Sequence, residues 1–128
     1  MGMSAYAKLE TLLYMLTTGA VDTRPTSWEV SLHTADPGTD GTANEVTDAN
    51  YVRQAVTFVA DVTDPVAPFL ENSAIITYPS ADTGFVATHF VVWDNADNPH
   101  VIQQLRVAKT IAIGEAATFA AGDLTVGR

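Results

Sequence analysis

The sequence predicts a mainly β protein, an antiparallel β-sandwich of jelly-roll or immunoglobulin-like type, with one amphipathic α-helix near its N-terminal end. Three observations lead there. Between Ser4 and Thr18, Tyr6, Leu9, Leu12, Leu13 and Leu16 recur at three- and four-residue steps, the period of a helix with one apolar stripe. From Thr23-Arg24-Pro25 onward the texture changes to short apolar runs punctuated by turn residues, the pattern of a sandwich or barrel. At 128 residues the chain fits one domain that can bury a sizeable core without staples. The expected division is a helix or arm over 1–20 and a sandwich over 21–128.

In chain order, Gly19 stands where the helix's C-terminal cap belongs. The stripe needs cover, either from the domain's own sheet, the usual solution, or from a neighbouring subunit. Trp28, Val30 and Leu32 alternate with Glu29, Ser31 and His33, so one face of this strand is expected in the core and the other towards water or a partner. Asp36-Pro37-Gly38 stops it and opens a long polar loop. A second strand is expected over 53–62, with Gln54, Val56 and Phe58 on one face, and Asp64-Pro65, Pro68 and Asn72 break the segment after it. Ala74 to Tyr78 is a third run. Phe85 to Trp93 is almost continuously apolar and belongs centrally in a sheet with both faces covered. Asp94-Asn95-Ala96-Asp97-Asn98-Pro99 is a turn, because Asn and Asp cap their own backbone. Val101 to Val107, Lys109 to Ile113, Thr118-Phe119 and a last strand around Leu124 and Val126 complete the list. No repeat at a fixed period and no sustained heptad is present.

The totals exclude several classes of function. Without cysteine there are no disulfides or thiolate metal sites. The formal charge is −9, from 15 acidic and 6 basic residues, and the cations Lys8, Arg24, Arg53, Arg106, Lys109 and Arg128 are scattered, which opposes binding to a phosphate backbone and argues against a nucleic-acid partner. No apolar run approaches the roughly 20 residues of a membrane span, and no signal peptide is evident.

Candidate chemistry is thin. His33, His89 and His100 lie far apart, none in a metal-type pair, so structural or surface roles are favoured. No Gly-x-Ser-x-Gly elbow, Walker loop or nucleotide-binding glycine fingerprint is present, and no catalytic residue, cofactor or metal is expected. The acidic loops Asp36 to Asp48 and Asp94 to Asn98 are oxygen-rich enough to raise calcium, but neither matches the twelve-residue calcium loop. Trp28, Tyr51, Tyr78 and Trp93 would make a sugar platform if exposed; alternation favours core packing instead.

Leu32-His33-Thr34-Ala35-Asp36-Pro37-Gly38, Asn44-Glu45-Val46, Tyr51-x-Arg53-Gln54-Ala55-Val56-Thr57-Phe58, Thr88-His89-Phe90-Val91-Val92-Trp93-Asp94 and Phe119-Ala120-Ala121-Gly122-Asp123-Leu124 stand in this order. Together with the leucine-rich helix they resemble a family of small tailed-bacteriophage virion proteins, variously described as capsid decoration (cement), head-fibre or tail-fibre-like. The resemblance departs at Val101 to Lys109, where Gln103, Gln104 and Arg106 stand. It implies a structural protein without enzymatic activity, assembled in the host cytoplasm and carried on the virion. A fibre normally needs a stalk, and this sequence shows none, so the expectation is a capsid decoration protein on the shell exterior. Its partner would be the major capsid protein and its own state a homo-oligomer, a trimer by preference. The alternative is a fibre or tail-tip domain for host attachment or carbohydrate binding. Candidate contact residues are Tyr6, Leu9, Leu13 and Leu16 on the helix and Asp36, Asp40, Glu45 and Asp48 on the long loop.

Overall fold

A computed structural model describes residues 2–20 and 24–127. It is mainly β, with ten strands and a single helix among the described residues: β1 (Gly2–Met3), α1 (Ala5–Leu16), β2 (Trp28–His33), β3 (Gln54–Val56), β4 (Phe58–Asp61), β5 (Phe69–Asn72), β6 (Ile76–Thr77), β7 (Phe85–Asp94), β8 (Pro99–Ile111), β9 (Thr118–Phe119) and β10 (Thr125–Val126). They form a five-stranded antiparallel sheet in the order β1-β8-β7-β2-β3, a three-stranded sheet β10-β5-β4 and a two-stranded sheet β6-β9. The core lies between the large sheet and the two small ones. Val30, Leu32, Phe90 and Val92 face Ile76, Tyr78, Phe119, Leu124 and Val126 across it, all buried. Each such side chain contributes about 1.5–3 kcal/mol by leaving water.

The apolar run expected from Phe85 to Trp93 is the central strand β7, which extends one residue further to Asp94, and its second half, Phe90 to Asp94, is buried on both faces. Asp94 closes the turn to β8. Its Oδ1 accepts the N–H groups of Ala96 and Asn98 at 2.8 and 2.9 Å, and Asp97 sits at φ 60°, the left-handed conformation Asp tolerates. Strand β8 is continuous across the expected break at Ala108, with register shifts against β7 between Ala87 and His89 and between Val92 and Trp93.

The second expected strand is two. β3 pairs with β2 in the large sheet, while β4 pairs with β5 in the three-stranded one, and the chain crosses between layers at Thr57. Such corners let one strand serve both walls of a sandwich, and here Val56 and Phe58 both reach the core. Asn72, expected as a breaker, instead ends β5 and is fully buried. Its Nδ2 donates to the carbonyls of Ala74 and Ala120 at 2.8 and 3.0 Å, and its Oδ1 accepts Leu124 N–H at 2.9 Å. One side chain thus ties the 119–124 turn to β5.

Candidate functional site

Two surfaces carry the residues singled out by sequence: α1 and the loop from Thr34 to Tyr51. Ser4 caps the helix, its Oγ accepting Ala7 N–H at 3.0 Å while donating to the carbonyl of Pro99. Ser4 N–H donates to His100 O and Ala5 N–H to Thr39 O, both at 3.1 Å, so the base of α1 is bonded to the start of β8 and to the long loop at once. Tyr6 packs edge-on to His100, which also meets Trp28 edge-on and bonds Asp94 Oδ2 at 3.0 Å.

Beyond that first turn most of the helix stands exposed. Ala7 is its one buried residue, while Leu9 is 56% exposed, Leu12 54%, Met15 69% and Leu16 76%; Leu13 is half-buried. The usual solution, a stripe docked on the home sheet, is not the one adopted. The helix ends at Thr17 rather than Gly19, with Thr17 N–H and Oγ–H both donating to Leu13 O at 3.2 and 2.7 Å.

The loop folds back over the large sheet, on the face away from the core. Asp36 Oδ1 accepts Gly38 N–H and Asp40 Oδ1 accepts Thr42 N–H and O–H, each a local turn. Those bonds hold the Asp40 carboxyl below its ordinary pKa, Thr42 N–H acting most strongly. Gly41 has φ +75, and a Cβ there would lie 3.1 Å from Val91 Cγ1 and 3.3 Å from Pro99 Cβ, so only glycine lets the loop lie this close. Val46 N–H returns to Leu32 O at 2.9 Å.

This cover corrects the expectation that the Glu29-Ser31-His33 face meets water or a partner. Ser31 and His33 are fully buried. Trp93 Nε1–H donates to Ser31 Oγ at 2.7 Å, Ser31 Oγ lies 2.7 Å from His33 Nε2, and His33 Nδ1 lies 2.7 Å from Ala43 O. One tautomer satisfies the whole chain: Nδ1 carries the proton and donates to the carbonyl, and Nε2 accepts from the serine hydroxyl. Burial pushes the His33 pKa below its ordinary value, with Arg53 and His89 adding to it against the pull of Ala43 O and Glu45.

Beside it, Arg53 grips Glu45 through two parallel bonds of 2.9 Å, Nε to Oε2 and Nη2 to Oε1, and its guanidinium lies 4.1 Å from the centre of a Trp93 ring. Tyr51 O–H donates to Glu45 Oε2 and accepts Leu32 N–H, both at 2.9 Å. Burial opposes the charge on Glu45, but the Arg53 and Tyr51 bonds outweigh it and lower its pKa; burial raises that of Tyr51. Asp48 closes the loop's far end: its Oδ1 accepts the N–H groups of Asn50 and Asp82, and its Oδ2 those of Thr83 and Gly84, at 2.9–3.1 Å. Those donors, Asp82 and Thr83 first, depress its pKa strongly.

Of the eight candidate contact residues, then, Leu9, Leu16, Asp36 and Asp40 stand exposed, Tyr6 and Leu13 are partly covered at the helix base and middle, and Glu45 and Asp48 direct their carboxylates at this chain's own groups. The Trp93-Ser31-His33 chain and the Arg53 clamp escape a reading by alternation, because a buried polar face looks identical to a solvated one in sequence. Among the described residues no His, Cys, Asp or Glu side chains are grouped in threes to hold a metal, and no helix is long and apolar enough to cross a membrane.

The family model described as Podophage GP4 fiber I protein gp80 matches residues 2–127, nearly the whole chain. The chain belongs to that family. No curated protein matches it. Membership makes this a structural component of a phage virion, of fibre-like type. It agrees with the resemblance carried by the strand-and-loop blocks, whose residues are the ones that build the loop cover: His33, Asp36, Glu45, Tyr51, Arg53 and Trp93.

Proposed function

We propose that this protein works without enzymatic activity, as a multivalent attachment module of the virion. The observation that carries the reading is the placement of α1, bonded at its base to a fixed loop and presenting its leucines away from its own domain. A side of the molecule built this way has contact, not turnover, as its use. The three histidines support this: both ring nitrogens of His33 are engaged internally, His89 Nδ1 lies 2.8 Å from Thr88 Oγ1, and His100 is held between Asp94 and two aromatic rings.

Within that role the family's description favours a subunit of the fibre apparatus. A second reading, capsid decoration on the shell exterior with the major capsid protein as partner, is favoured by the compact domain and by the exposed Asp36 and Asp40 beside the helix base, a polar rim to an apolar patch. In either, several copies engage together, so that modest contacts add through effective concentration. In both readings α1 serves attachment and the β sheets serve as its scaffold.

Copy number per particle separates the two readings. Quantitative mass spectrometry of purified virions is expected to give a handful of copies for the fibre apparatus; hundreds would assign the protein to the shell. Absence from the particle would overturn both.

A further inference from the structure

Strand β8 has a neighbour on both sides over only a small part of its length. β7 runs along one side, while β1 pairs with the other only at Val101 and Ile102. From Gln104 to Thr110 no described strand lies on that outer side, an open edge of about 23 Å at 3.3 Å per residue, longer than a common strand. Pairing on the inner side is incomplete as well. The register against β7 jumps from His89 opposite Gln104 to Ala87 opposite Lys109, so Leu105, Arg106, Val107 and Ala108 stand opposite Thr88 alone, and β7 cannot pair all of their backbone groups. Gln104, Arg106, Val107, Ala108 and Thr110 are exposed, Val107 by 77%. Beside them a groove of about 510 Å³ opens between Leu105, Val107 and Lys109 on β8 and Phe119, Gly122 and Asp123 at the 119–124 turn.

Charge singles out this edge. Arg106 and Lys109 are the only lysine or arginine side chains that stand in a described strand, and β8 carries no carboxylate anywhere along its length, in a chain of net charge −9. Neither joins an ion pair among the described residues, and Lys109 Nζ lies 4.6 Å from the centre of the Phe119 ring. Asp123, the acidic residue of the groove, turns Oδ2 to its own chain, accepting Ala120 N–H at 3.2 Å. We infer that the β8 edge from Gln104 to Thr110 is a docking site for an extended acidic segment of another polypeptide, added as a strand on the side that β1 covers only at Val101 and Ile102. Main-chain bonds to the open edge hold the segment, alternate side chains enter the groove beside Val107 and Phe119, and carboxylates meet Arg106 and Lys109. The same two cations disfavour the simplest other occupant, a second β8 across a two-fold axis, because the cations of one copy then face those of the other. A strand that carries carboxylates meets no such barrier. This surface is distinct from α1 and does not rest on the attachment reading above.

Selection from a random library of short linear peptides against the immobilised full chain tests it. The expected enrichment is for proline-free sequences rich in Asp and Glu. An enriched peptide, followed by fluorescence anisotropy, should bind R106E/K109E about tenfold more weakly than wild type. N-methylation of one alternate set of its amides should abolish binding while methylation of the other set leaves it, because a strand bonds an edge through every second residue. Arg106 is exposed, so R106E alone keeps the test readable if the double variant unfolds; its binding should fall about threefold at an unchanged near-ultraviolet spectrum. No enrichment, enrichment of basic or proline-rich peptides, equal binding by R106E, or binding indifferent to which amides are methylated overturns the proposal. Sedimentation velocity of the chain alone decides the remaining case: an assembly that R106E dissolves gives the edge to a second copy and overturns it too.

Discussion

Removing the Glu45 carboxylate tests whether the long loop is a wall of the fold rather than a free arm. The Arg53–Glu45 pair is three-quarters desolvated, with side-chain exposures of 25% and 24%. Breaking a fully buried pair costs about 3–5 kcal/mol and an exposed one about 0–1 kcal/mol. Two features place Glu45→Ala between these limits. Tyr51 loses the acceptor of its O–H as well, which raises the cost, whereas Arg53 retains Glu29 at 3.5 Å and Asp97 at 3.7 Å, which lowers it. The expected loss is about 2 kcal/mol, or roughly 6–10 °C in Tm for a domain of this size. Urea unfolding of wild type, Glu45→Ala, Arg53→Ala and the double variant gives the coupling directly, expected at about 1–2 kcal/mol. A single-variant loss under about 0.5 kcal/mol, or zero coupling, would refute the assignment and return the loop to the solvent.

Three further outcomes follow from the same geometry. His33 is held neutral with a depressed pKa, so the stability it contributes is fully present above its ordinary value of 6.5 and is lost as pH falls through the lower folded value; the Tm of wild type should fall between pH 7 and 5, and His33→Gln should flatten that slope. Glu45 and Asp94, also depressed, add their losses only at more acid pH, below about 4.5 and 3.8. Asn72→Ala leaves the buried Leu124 N–H unpaired and removes the donor to the part-buried carbonyls of Ala74 and Ala120, for an expected cost of about 2 kcal/mol in chemical denaturation. Gly41→Ala combines a left-handed backbone with a 3.1 Å approach to Val91, for an expected loss of about 2 kcal/mol, measurable in the same assay.

Periodicity made the architecture legible because it reports burial on one face. The helix, the central strand at 85–94 and the turn at 94–99 all follow from it. What it could not report was which elements share a sheet. Nothing local marks Thr57 as the corner where one strand becomes two, since Val56 and Phe58 are apolar in either arrangement. The misread face of β2 has the same origin: Ser31 and His33 are polar, and a polar residue is placed outside unless its partners are known. Those partners, Trp93 and the carbonyl of Ala43, lie 62 and 10 residues away along the chain. The candidate contact residues divide on similar grounds. Leu9 and Leu16 are exposed because no described element covers them, while Glu45 and Asp48 are drawn inward by donors, Arg53 and the 82–84 turn, that only the fold brings near.

The anchoring of α1 also bears on when its stripe exists as a stripe. An isolated helix of 12 residues is marginal in water, because nucleation is costly and each added bond is worth little. Here the bonds of Ser4 and Ala5 to His100 and Thr39 supply the nucleus, and after Leu9 the helix keeps Glu10 and Leu13 partly covered while Leu12, Tyr14, Met15 and Leu16 stand exposed. Burial of Leu12, Met15 and Leu16 against another surface is a further source of stabilisation for that half. Completion of the helix and occupation of its stripe are therefore one equilibrium, and the loop that fixes the base at Thr39 sets the direction from which a partner is met.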